Sequence, residues 1–182
     1  MIYDKGEYKS WIDGHVTKEY KLWKGMFERC QKLAAYQDCS VDQSWDSFQS
    51  FAAWCNMQTG FGVPGFELDK DVLIPGNKVY GPDTCCFIPP EINKFLTHKK
   101  STKGLYPVGV TFDSKTNKYC AQITVSGHAK WLGRFDIPES AYETYVAAKF
   151  DAILTLAAKY RYLVDDVVYK SLISADKFLL RL

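Results

Sequence analysis

The sequence predicts an α+β protein: helices first, a small β-hairpin leading into a helix, then a three-stranded antiparallel sheet followed by another helix. Three observations predict this. Between Thr17 and Asn56 the large apolar residues recur at helical spacing. Between Phe66 and Asn93 two short apolar runs flank the turn formers Pro75-Gly76-Asn77 and lead to Pro90, a residue suited to a first helical turn. After Gly104, short strand-like runs alternate with hairpin turns.

Taken in order, residues 1–17 read as an extended arm with a turn at Asp13-Gly14. Thr17 can cap the first helix, and Tyr20, Trp23, Met26, Phe27 and Cys30 line one of its faces. Residues 36–46 are rich in turn formers and connect to a second helix over Ser47–Asn56, with Phe48, Phe51, Ala52 and Cys55 on one face. The stretch Gly60–Gly65 ends that helix. The hairpin covers 66–89, and a short helix runs from Pro90 to about Leu96. Residues His98–Gly104 are polar and basic without apolar periodicity, so they read as a linker between two domains, 1–97 and 98–182. The second domain has strands over Val108–Phe112, Tyr119–Val125 and Ala129–Phe135. A long helix from Pro138 carries Tyr142, Tyr145, Val146, Ile153, Leu156 and Tyr160 as its apolar stripe. A short helix near Asp165–Ile173 and a tail to Leu182 complete the chain.

A length of 182 residues suits one ordinary domain or two small ones, and an apolar share of 47% excludes a disordered chain. No apolar run approaches the ~20 residues of a membrane helix. Met1–Glu7 lacks the apolar core of a signal peptide, so the chain reads as intracellular, with no membrane partner. The net charge of +2 is unevenly spread. From Thr97 to Phe135 the bases Lys99, Lys100, Lys103, Lys115, Lys118, Lys130 and Arg134 face the single acid Asp113. That segment suits a polyanion; the plain alternative is a solvated lysine face.

Two groups of side chains suggest chemistry. Asp69 and Asp71 flank Lys70 at the start of the hairpin, where they can serve a divalent metal or simply pair with Lys70 or Lys78. Cys30, Cys39, Cys85 and Cys86 would suit a structural zinc if the hairpin packed on the first connection. No C-x₂-C pair occurs, and buried free thiols are the favoured account of the six cysteines.

Val108-Gly109-Val110, Lys118-Tyr119, Ala121-Gln122-Ile123, Gly127, Leu132-Gly133-Arg134-Phe135 and Ala141-Tyr142 with Tyr145 and Ala147-Ala148 carry a resemblance. Over about residues 104–160 they resemble the Apetala-type DNA-binding domain. That resemblance implies double-stranded DNA as the partner, with the sheet in the major groove. It makes Lys115, Lys118, Gln122, Thr124, Lys130, Trp131 and Arg134 the candidate contacts. The lysines would meet phosphates, and Gln122 and Arg134 would reach base edges. Trp131 has a second reading as a sheet-packing residue.

Leu68-Asp69-Lys70-Asp71, Gly76-Asn77-Lys78, Tyr80, Cys85, Phe87-Ile88-Pro89 and Ile92-Asn93 follow Trp23, Met26 and Arg29-Cys30. Over about residues 18–96 this pattern resembles phage-encoded, homing-type HNH endonucleases, which often carry an Apetala-type domain behind the nuclease. The resemblance implies a small ββα-metal module, Mg²⁺ or Mn²⁺ as cofactor, and a place of action in the cytoplasm of an infected bacterial host. It makes Asp69, Lys70, Asp71 and Asn77 the catalytic candidates, and Asp69, Asp71 and Thr84 the metal candidates. Asp69 falls at the metal carboxylate and Asn77 at the loop asparagine, while Thr84 stands where an asparagine is common.

Lys70 stands where the family has its histidine base. The histidines His15, His98 and His128 all lie outside the motif. A lysine of ordinary pKa, about 10.4, is a poor base at neutral pH. Three readings therefore stay open: a nuclease using Asp71 or a metal-activated water, an impaired nickase, or an inert HNH-derived fold kept for binding DNA. The aromatic-rich first half leaves a further class open, an inhibitor that binds a host protein.

Overall fold

The computed structural model describes residues 5–97 and 105–179. The expected linker His98–Gly104, with three of the seven bases of the basic segment, lies outside the described residues. The architecture is α+β. Among the described residues no helix is long and apolar enough to cross a membrane.

Strands β1 (Trp11–Ile12) and β2 (His15–Val16) form a minimal hairpin over Asp13-Gly14, both of which take positive φ. Helix α1 (Lys18–Lys32) follows Thr17, but the threonine does not cap it. Its Oγ1 donates instead to Lys9 O at 3.0 Å, which ties the arm to the helix start. Helix α2 (Phe48–Met57) does have a side-chain cap: Ser47 Oγ accepts from Ser50 N at 3.2 Å. Trp23, Met26, Phe48 and Phe51 are fully buried between the two helices, and Trp23 Nε1 donates to Trp45 O at 2.8 Å. Trp45 and Phe51 meet edge to face with centroids 5.0 Å apart. Most of the aromatic front is therefore core, with Trp11 the exposed exception.

The 66–89 region is more elaborate than a plain hairpin. Strand β3 (Ser40–Val41), within the stretch expected to be only turns, pairs parallel with β5 (Val79–Tyr80). Strand β4 (Glu67–Asp69) pairs antiparallel with β6 (Cys86–Ile88), and Asp69 lies opposite Cys86. The Pro75-Gly76-Asn77 turn thus sits inside a long loop between the paired strands. Helix α3 (Pro90–Leu96) follows at once and completes a β–β–α unit.

The second sheet has the order β7 (Val110–Asp113), β8 (Lys118–Val125), β9 (His128–Phe135), antiparallel throughout. Helix α4 (Pro138–Lys159) covers one face, with Val110, Ala121 and Ala141 buried between them. Gly109 has a φ of 84°, and a Cβ there would stand 2.1 Å from the Tyr145 ring, so the close approach of helix to sheet requires glycine. The far half of α4 leaves the sheet. Its Ile153, Leu156 and Ala157 join the main core beside Val168 and Leu172 of α5 (Asp166–Ile173) and Phe178 of α6 (Ala175–Leu179). Glu91 of α3 fastens the two halves. It accepts from Ser126 Oγ at 2.6 Å and Tyr160 Oη at 2.8 Å, and pairs with Lys159. These bonds hold its carboxyl down at about 2.

Candidate functional site

Asp69 ends β4, and its side chain turns the chain out of the strand. One oxygen, Oδ1, accepts from Asp71 N at 2.8 Å and from Val72 N at 2.7 Å. The other, Oδ2, has no donor among the described residues. Burial pushes the Asp69 carboxyl above the usual range, against the pull of those two amides. Glu67 lies two residues earlier, so it shares a face of the strand with Asp69. Asn93 Nδ2 donates to Glu67 Oε2 at 2.7 Å, which sets α3 against that same face. The amide oxygen of Asn93 accepts no hydrogen bond among the described residues. Asp69, Asn93, Lys70, Asp71 and Arg29 all border one cleft of about 720 Å³.

Lys70 is 7% exposed, and its ammonium is fully engaged. Nζ donates to Asp71 Oδ1 at 3.0 Å, Asp71 Oδ2 at 2.8 Å and Asn77 O at 2.7 Å. These three acceptors match the three N–H donors of an ammonium. Both oxygens of Asp71, a half-exposed side chain, accept from it. Asn77 completes the lock: Nδ2 donates to Lys70 O at 2.9 Å and to Val79 O at 2.6 Å. Thr84 does not border the cleft. Its hydroxyl donates to Val79 O at 2.7 Å, inside its own loop. His15 and His128 sit on β2 and β9, away from the cleft lining.

Among the described residues no three His, Cys, Asp or Glu side chains gather closely enough to hold a metal by themselves. All six cysteines are free thiols, and burial raises Cys85 to about 12. What the cleft does offer is hard oxygens without hydrogen-bond donors among the described residues, Asp69 Oδ2, Asn93 Oδ1 and Glu67 Oε1. That donor set fits Mg²⁺ or Mn²⁺, which keeps several waters and takes one or two protein oxygens plus a substrate phosphate. Asn93 went unassigned in the sequence because Glu91, Asn93, Lys94 and Thr97 are all polar positions of one short helix. Only its packing tells which of them meets β4.

The outer face of the second sheet is set by register, since residues directly opposite each other project to the same side. Gln122 faces Trp131, Cys120 faces Arg134 and Thr124 faces Ala129, while Ala121 and Ile123 are buried toward α4. Lys118, Gln122, Thr124, Trp131 and Arg134 therefore share the open face. Lys130 is opposite Ile123 and belongs to the other side of the ladder; Lys115 lies in the β7–β8 turn. Trp131 is 55% exposed, and the Arg134 guanidinium lies over its ring at 5.6 Å. Two acids temper this face. Asp113 sits 3.6 Å from Arg134, and Asp136, one residue beyond the basic segment, pairs with Lys118. Compared with protein-family models, curated proteins and solved structures, the chain matches none.

Proposed function

We propose that the protein binds double-stranded DNA through the outer face of β7–β9 and uses the Asp69 cleft as a slow, metal-dependent phosphodiester nickase. The observation that carries this reading is the pair of uncommitted oxygens, Asp69 Oδ2 and Asn93 Oδ1, on the β–β–α unit beside a cleft. Bound there, Mg²⁺ or Mn²⁺ would neutralise the scissile phosphate and favour the leaving oxygen. The protein's own residues do the rest. Asp69 is oriented by the Asp71 and Val72 amides. Asn93 is aimed by Glu67. Lys70 and Asn77 hold the loop that frames the cleft. Among the described residues no histidine borders the cleft to take the proton of the attacking water. Absence of a positioned base costs about 10²–10⁴-fold in rate.

The three bonds of Lys70 also favour a second reading, a DNA-binding protein whose nuclease fold no longer cuts. A gel shift and a supercoiled-plasmid assay on one preparation separate the two. Retarded DNA together with metal-dependent relaxed circles supports the nickase. Retarded DNA that stays supercoiled under both metals supports the second reading. No retardation at low salt refutes both.

A further inference from the structure

We propose that Arg29 is a phosphate-gripping residue of this cleft, contributed by α1 rather than by the β–β–α unit. The inference rests on the nuclease reading for its substrate, and on geometry for its residue. Arg29 borders the same cleft as Asp69, Lys70 and Asn93. Its guanidinium is held by rings rather than by acids: the carbon centre lies 5.4 Å from the Tyr80 ring and 6.0 Å from that of Tyr36. No carboxylate pairs with it among the described residues, and its Nε is buried without a hydrogen-bond partner.

The charges of the cleft sharpen the point. Among the described residues Arg29 and Lys70 are its two cations, and Lys70 is paired with Asp71. Glu67 and Asp69 remain as acids. A phosphodiester entering beside them meets repulsion that a metal at Asp69 offsets on one side, and only Arg29 offsets on the other. A guanidinium presents a planar fork matched to two phosphate oxygens, and stacked rings fix the plane of that fork. A guanidinium that has a ring hydroxyl, Tyr80, but no carboxylate for a partner still has charge and an Nε–H to offer an anion.

The test uses the full chain and the dinucleotide thymidylyl-thymidine, a single phosphodiester, with and without Mg²⁺. The Nε–H resonance of Arg29 is identified by its loss in Arg29→Gln and followed by nitrogen-15 NMR. A saturable shift of that resonance supports the proposal. No shift in either condition overturns it, whatever the plasmid assay shows. On plasmid, Arg29→Gln is expected to lower nicking about 10²–10³-fold. Arg29→Lys, which keeps charge without the fork, is expected to lower it about tenfold. If wild-type protein does not nick but the resonance shifts, the nickase reading fails and the phosphate site stands.

Discussion

Lys70 and Asn77 bind each other in both directions: the lysine ammonium donates to Asn77 O at 2.7 Å, and the asparagine amide donates to Lys70 O at 2.9 Å. This reciprocal lock closes the loop between β4 and β5. It gives Lys70 a structural role in this loop. The ammonium stabilises the loop and at the same time pairs with Asp71.

Lys70→Met should destabilise the fold by ~2–3 kcal/mol, since it strands Asn77 O and frees Asp71. Thermal unfolding followed by circular dichroism measures this. Lys70→His should behave differently. It sacrifices part of the lock but supplies a base next to Asp69, and nicking should rise by about 10²-fold. A histidine variant that folds with an unchanged nicking rate would show that proton removal does not limit the reaction.

Glu91 gives the pH dependence of the attachment between the two halves. Its carboxyl is held at about 2, against an ordinary 4.5, chiefly by Lys159, then by Ser126 and Tyr160. A depressed carboxyl contributes stability above its unfolded value, and that contribution is lost as pH falls through the folded value. The melting temperature of wild type should therefore exceed that of Glu91→Gln by a constant margin above about pH 5. The margin should shrink as pH falls from about 4.5 toward 2. A margin that grows in acid would show that Glu91 is not the link.

On the open sheet face, Asp136 and Asp113 pair with Lys118 and Arg134, and under the proposed function they would compete with DNA for them. Asp136→Asn should tighten binding by roughly two- to fivefold at low salt, the worth of an exposed ion pair. Lys118→Ala should reduce the dependence of log affinity on log salt by about one. Fluorescence anisotropy across a salt series reads both. Equal slopes for wild type and Lys118→Ala would remove Lys118 from the interface.

Local signals made most elements legible. Helical spacing of aromatics marked α1 and α2, Pro90 and Pro138 marked α3 and α4, and Ser126-Gly127 marked the β8–β9 turn. Long-range pairing was not legible. The parallel contact of Ser40–Val41 with Val79–Tyr80 joins two stretches of two residues each, too short to show periodicity. The return of α4 to the main core was hidden for a related reason, because one apolar stripe on the helix serves two different partners along its length. In the site, Asp69 was readable from its place at the end of a strand, and Asn77 from its turn. Asn93 and Arg29 reach the cleft through packing, and Asp136 reaches Lys118 across the sheet.

The most direct test of the central claim is the relaxation of supercoiled plasmid by wild type and Asp69→Asn in Mg²⁺ and in Mn²⁺. The substitution keeps an Oδ1 acceptor for the two amides and removes the charge of the free oxygen. The account predicts slow, chelator-sensitive nicking by wild type, and a loss of at least about 10²-fold in Asp69→Asn with DNA retardation unchanged. Equal nicking by the two proteins, or none by wild type in either metal, would contradict it.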